Sequence, residues 1–340
     1  MDRESIVSTA QALVRRGRGI LAADESSSTI AKRFAAHGIE CTPDSRRDYR
    51  EMLFRAPHAM HHYISGVILY DETIRQNARN GAPLTKLIEH TGAIAGIKVD
   101  AGVKPLPNFP GETTTEGLDG LRDRLDDYRS RGARFAKWRA TFDIDADIPS
   151  PYAVDVNAMS LARYAALCQD AGLVPIVEPE VLMDGSHTIE RCEDVTVFVL
   201  TTVFRRLYQA RVLLEGMILK CNMVVPGKKA ERSAGPDEVA AATLRALRQA
   251  TPVAVGGIAF LSGGQDDIEA TANLDAINRL GGPWPLTFSF SRALQETPLR
   301  IWAGKPENIH AAQAVFARRA HMNALAAQGR WSDAAERKAA

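Results

Sequence analysis

"GMILKCNMVVPG", residues 216–227, is an apolar run with one charged side chain, Lys220, set inside it. Its first seven residues have the length and composition of a buried strand. Burying an ammonium is costly unless it is paired or neutralised, so the run raises the question of what strand carries a lysine near its C-terminal end. Seven other short runs rich in Val, Ile, Leu and Ala share its character: GILAAD (19–24), ISGVILY (64–70), IAGIKVD (94–100), ARFAKWR (133–139), LVPIVEPE (173–180), PVAVGGIAF (252–260) and PLTFSFSR (285–292). Between them lie helical patterns such as NAMSLARYAALCQDAG, HTIERCEDVTVFVLTTVFRRLYQARVLLEG and PDEVAAATLRALRQA, the last with Pro236 near its first turn. Eight near-continuous apolar strands alternating with helices predict an α/β fold whose parallel sheet closes into a (β/α)8 TIM barrel, although a doubly wound open sheet shares the local signature. No internal repeat or low-complexity linker divides the chain. Residues 1–320 are therefore expected to form a single domain, with 321–340 a polar C-terminal tail able to move.

Bulk properties narrow the function classes. With 340 residues, 45% hydrophobic and 24% charged, the chain has an ordinary soluble composition, and its net charge of +1 offers no electrostatic case for nucleic acid or a membrane surface. The N-terminus MDRESIVSTAQALVRRGRG fits an amphipathic helix better than a secretory signal. The longest apolar stretch, VTVFVLTTVF (195–204), is too short to span a bilayer. Cys41, Cys168, Cys192 and Cys221 lie far apart without metal-binding spacing, as expected of reduced thiols in a cytoplasmic protein.

Polar residues interrupt the predicted strands near their C-terminal ends: Asp24 in the first, Lys98 and Asp100 in the third, Lys137 and Arg139 in the fourth, Glu178 and Glu180 in the fifth, Lys220 in the sixth, and Ser289 with Arg292 in the eighth. In a barrel those ends form one rim, where active sites of this fold sit. Spacing by two puts both members of a pair on the same side of a strand. A lysine in such a mouth is either a salt-bridged charge or a nucleophile. Desolvation and a second cation, here Lys137 or Lys98, both favour the neutral amine. A neutral amine can attack a ketone, and the resulting iminium accepts the electrons of a breaking carbon–carbon bond, with Glu178, Glu180 and Asp24 as candidate acid–base groups. Ser262-Gly263-Gly264 after the seventh strand and SFSRALQ (289–295) after the eighth place backbone amides and Arg292 where barrels commonly hold phosphate.

GILAADES, GIKVDAGV, FPGETTTEGLDGL, FAKWR, PIVEPE, LKCNM, FLSGGQ and TFSFSRAL, in this order over nearly the whole chain, resemble class I fructose-1,6-bisphosphate aldolase. The resemblance implies that Lys220 is the Schiff-base lysine, Glu178 the proton acceptor and donor around the carbinolamine, and Asp24 the carboxylate at the C4 hydroxyl. Lys137 would be the neighbouring cation, supported by Glu180 and Arg139. Ser262, Gly263, Gly264, Ser289, Ser291 and Arg292 would hold one phosphate with Arg33 nearby, and Ser26, Thr29 and Lys98 the other. It further implies phosphorylated ketose and triose substrates, no metal or other cofactor, and a homotetramer. Three departures from the family pattern stand out. Cys221 replaces the usual proline after the lysine, Ser291 replaces the usual glycine beside the phosphate, and the chain ends in ERKAA where vertebrate and plant members end in tyrosine. Other readings are a metal-dependent enzyme using His58, His61 and His62 of PHAMHH, a Schiff-base aldolase preferring a monophosphate sugar, and a non-catalytic scaffold.

Overall fold

The computed structural model describes residues 2–338. Ten strands occur among them: β1 (Gly19–Ala23), β2 (Ile64–Leu69), β3 (Ile94–Lys98), β4 (Gly102–Pro105), β5 (Thr113–Glu116), β6 (Phe135–Phe142), β7 (Val174–Val181), β8 (Ile218–Cys221), β9 (Ile258–Phe260) and β10 (Leu286–Phe290). All but β4 and β5 close into one barrel in the order β1-β10-β9-β8-β7-β6-β3-β2, with every neighbouring pair parallel. This is the (β/α)8 barrel expected from the apolar runs.

Each barrel strand is buried on both faces, which is why it reads as a continuous apolar run and not as an alternating one. One set of side chains, including Leu219, Cys221, Val177 and Trp138, faces the surrounding helices and joins their buried stripes in a single large core. The alternate set points into the barrel, where Ile20, Ala22, Ile68, Phe135, Val174, Ile176, Ile218 and Ala259 make a second, smaller core. Helix Arg3–Leu13 closes the lower end of this inner core with Ile6, Ala10 and Leu13, spaced so that they share one helical face. Phe135 fills the space beside β3 because Gly96 has no side chain. A Cβ there would lie 2.3 Å from the Phe135 ring.

The outer helices start where their sequences carry capping residues. Ser150 caps Pro151–Asp170 through the Ala153 amide, Thr188 caps Ile189–Gln209, and Asp266 caps Asp267–Leu280. No helix among the described residues is long and apolar enough to cross a membrane.

Three local features differ from the sequence expectation. The run 252–260 contributes only its last three residues to the barrel, because Pro252 begins a turn and Gly256 and Gly257 follow it. The long pattern after His187 is not one helix: it ends at Gln209, Arg211 takes φ of 57°, and a short 3-10 turn Leu214–Gly216 leads into β8. Strands β4 and β5 form an antiparallel hairpin absent from the sequence reading. The hairpin leans on the upper end of β6, with the Thr115 hydroxyl donating to the Arg139 carbonyl at 2.8 Å. Beyond the helix Ile309–Ala326, the tail turns back through a short helix Asp333–Lys338. Glu336 there accepts from Trp331 Nε1 at 2.9 Å and Arg319 Nη1 at 2.7 Å, while the Trp331 amide donates to Asp275 at 2.8 Å.

Candidate active site

Two residues beyond the inner core, the same inward-pointing columns become charged. Lys137 follows Phe135 on β6, Glu178 follows Ile176 on β7, Lys220 follows Ile218 on β8, and Asp24 follows Ala22 just past β1. The parallel register brings them to one level, since Ile176 is paired with Ile218 and Lys98 with Lys137. They open into a cavity of about 740 Å³ at the C-terminal rim.

Lys137, Glu178 and Lys220 expose 3%, 3% and 4% of their surfaces, so these charges must satisfy one another. They do so as an alternating row. Asp24 Oδ2 lies 2.6 Å from Lys137 Nζ, Lys137 Nζ lies 3.2 Å from Glu178 Oε2, and Glu178 Oε1 lies 2.9 Å from Lys220 Nζ. Among the described residues Glu178 Oε2 has no hydrogen-bond donor, although the Lys137 charge lies beside it.

Burial pushes the Asp24 carboxyl up, but the charge of Lys137, then that of Lys220, and the hydrogen bond from Lys137 outweigh it and hold Asp24 down at about 2. Burial likewise acts to raise Glu178, and Lys137, Lys220 and Arg139 together bring it below its ordinary value. For Lys137 burial works against the charge, yet Asp24 and Glu178 raise the ammonium above the usual lysine range. Lys137 is therefore a cation held between two carboxylates.

The remaining expected residues surround this row. Arg139 Nε donates to Glu180 Oε2 at 2.5 Å, and Lys98 Nζ pairs with Asp100 Oδ1 at 2.5 Å. Ser26 caps helix Ser27–Ala36, its hydroxyl 3.1 Å from that of Thr29, and both border the cavity beside Lys98. Next along the rim, at the ends of β9 and β10 beside β1, stand Ser262, Gly263, Ser289, Ser291 and Arg292, with Arg33 reaching in from helix Ser27–Ala36. Ser289 is almost fully buried, and among the described residues its hydroxyl has no partner. Gly263 and Gly264 take φ of 60° and 101°, which favours glycine. Gly264 stands just behind the cavity wall, where a side chain would meet Lys228 Nζ at 2.7 Å and Arg292 Nη2 at 3.4 Å. Cys221 continues the β8 ladder opposite Phe260, its thiol turned to the outer core and pushed up by burial.

Two neighbours escaped the sequence reading. Glu25 receives Arg33 Nη1 at 2.6 Å, although alternation from Asp24 assigns it to the other side. β1 ends at Ala23, and the turn into the next helix removes that rule. Lys228 arrives from the loop after β8, and nothing in its spacing signals the approach to Gly264. The histidines His58 and His62 pack on each other at 5.1 Å in helix Pro57–His62, before β2 and at the opposite end of the barrel. Among the described residues no three His, Cys, Asp or Glu side chains converge as a metal ion requires.

Comparison with known proteins gives the family. A family model described as fructose-bisphosphate aldolase class-I matches residues 5–340. A probable fructose-bisphosphate aldolase class 1 of Xanthomonas campestris pv. campestris is 52% identical over 97% of this chain and 99% of its own. The cytosolic fructose-bisphosphate aldolase 5 of Arabidopsis thaliana is 50% identical, covering 98% of this chain and 93% of its own. Among solved structures, the fructose-bisphosphate aldolase of Plasmodium falciparum, in complex with TRAP and a small molecule inhibitor, superposes with a TM-score of 0.94 at 46% identity, over 97% of this chain and 95% of that one. The rim of paired lysines and carboxylates thus sits in a chain that belongs to the class-I fructose-bisphosphate aldolase family.

Proposed function

We propose that the enzyme cleaves fructose 1,6-bisphosphate reversibly to dihydroxyacetone phosphate and glyceraldehyde 3-phosphate through a Schiff base on Lys220, as a step of glycolysis and gluconeogenesis. The observation that carries this reading is the 2.9 Å approach of Lys220 Nζ to Glu178 Oε1 at the end of an alternating row of charges. Glu178 takes the ammonium proton, and the freed amine attacks the C2 carbonyl. Once the nitrogen is a neutral carbinolamine, one of the cations holding Glu178 down is gone. Its carboxyl then carries a proton more readily and delivers it to the departing water. The iminium takes up the electron pair of the C3–C4 bond as Glu178, a carboxylate again once water has left, takes the proton of the C4 hydroxyl, and the same carboxyl later returns a proton to C3 of the enamine. No metal is needed, because the iminium is the electron sink.

Held at about 2, Asp24 stays ionised and serves to orient the C4 hydroxyl and the Lys137 ammonium. Arg139 and Glu180 brace each other at the rim. Arg33, Ser262, Gly263, Gly264, Ser289 and Arg292 take one phosphate, with Ser291 standing behind Arg33, and Ser26, Thr29 and Lys98 take the other. The cytosolic plant relative supports a cytoplasmic location. Exposed Tyr152, Met159 and Tyr208 on the outer helices suit a homotetramer.

Borohydride reduction in the presence of dihydroxyacetone phosphate, followed by peptide mapping, tests the central step. A stable adduct on Lys220 is expected. Cleavage without any trapped adduct would sink the Schiff-base mechanism.

A further inference from the structure

Ser291 is the N-cap of helix Arg292–Trp302, but its side chain makes no capping bond. A serine there ordinarily turns its hydroxyl onto the amides of its own helix. Instead, Ser291 Oγ donates to Glu25 Oε1 at 2.8 Å and accepts from Arg33 Nη2 at 3.2 Å and Gln295 Nε2 at 3.2 Å. Arg33 Nη1 donates to the same Glu25 oxygen at 2.6 Å, and Gln295 Nε2 reaches it at 3.0 Å. Gln295 is itself held by the Ala22 carbonyl at 2.7 Å and by Tyr49. Glu25, Gln295 and Tyr49 are buried, so the guanidinium is clamped to a fixed base.

We propose that Ser291 is a positioning residue that raises affinity for phosphate by holding Arg33 across the edge of the mouth. The proposal rests on the reading above that this flank takes a phosphate. Two of the five Arg33 N–H groups are engaged by Glu25 and Ser291. The other three have no protein partner among the described residues, and the side chain borders the cavity. A guanidinium fixed at two points presents its free donors in one orientation, so less side-chain freedom is lost when an anion arrives. With the hydroxyl removed, Arg33 keeps only the Glu25 contact and can rotate about it. The hydroxyl therefore acts on the ligand through Arg33, and not by touching it.

A double-mutant cycle tests this. Wild type, Ser291→Ala, Arg33→Lys and the double variant are compared for KM and kcat on fructose 1,6-bisphosphate, and for the Kd of inorganic phosphate by calorimetry. Ser291→Ala should raise both KM and Kd about five-fold, the size of one lost hydrogen bond. In the Arg33→Lys background, where the fork is gone, the same change should alter them less than about two-fold. Equal effects in the two backgrounds, or none in either, would overturn the proposal. So would tighter phosphate binding in Ser291→Gly, which would mean that the side chain crowds the site. Phosphate binding is read without turnover. A wild type that binds phosphate but cleaves nothing would count against the aldolase mechanism and leave the Ser291 result to be judged on Kd.

Discussion

The lower and upper halves of the barrel interior are built from the same strands with the same alternation, yet they obey opposite energetics. Below, Phe135, Ile176, Ile218 and Ala22 meet one another and helix Arg3–Leu13 in an apolar plug. Two residues higher in each column stand Lys137, Glu178, Lys220 and Asp24. Each square ångström of apolar surface removed from water in the lower half stabilises the fold by about 25 cal/mol. In the upper half burial costs free energy that only the alternating charge row offsets. The strands thus separate stability from chemistry along their own length, and chemistry takes the end where the loops open.

Substitution at Lys220 should divide the two halves most sharply. Lys220→Met extends the apolar column by a side chain of similar size, and cleavage should fall by about 10⁴-fold or more because the covalent step is lost. Glu178→Gln keeps the shape and should slow imine formation by about 10²–10⁴-fold. Both proteins should remain folded by circular dichroism and show cooperative unfolding. Loss of activity that only tracks loss of folded protein would erase the distinction between the halves.

The reverse experiment lies two residues below. Phe135→Ala empties the plug beside Gly96 and should cost about 3–5 kcal/mol of stability, read as a lower guanidinium midpoint at unchanged slope. Turnover per folded molecule at low temperature should stay within about two-fold, since Lys137 is carried by the backbone of β6 and not by that ring. A loss below about 1 kcal/mol would mean that the plug is not what holds the barrel.

The same contrast explains what could be read in the sequence. Strands buried on both faces leave a strong apolar signature, and charges at their ends stand out against it. Asp24, Lys137, Glu178 and Lys220 were therefore visible, and parallel register then brings them together. The hairpin β4–β5 was not legible, because a short, half-buried pair of strands carrying Pro105 and Gly102 has no apolar periodicity. Nor was the neutralisation of Lys137, which depends on side chains from β1, β6 and β7 meeting across the barrel. Ser291 was legible as an oddity only. Its bonds to Glu25, Arg33 and Gln295 follow from the turn after β1, where alternation no longer applies.

The smallest expected effect concerns acid, and it tests whether the charge row contributes to stability at all. Asp24 is held at about 2 in the folded protein, below the value of about 3.9 for a free aspartate. A carboxyl whose folded value is depressed stabilises the fold above its unfolded value and loses that contribution as pH falls through the folded one. The window is therefore about pH 4 down to about pH 2, and the size is on the order of 2 kcal/mol. Glu178, also held down, acts in the same direction and remains in an Asp24→Asn variant. Urea unfolding of wild type and Asp24→Asn across that window should show the wild type losing more stability than the variant, the surplus being the share of Asp24. Parallel losses would mean that Lys137 does not hold this carboxylate. The upper half would then be a row of charges tolerated by the plug beneath it, with no stabilising contribution of its own.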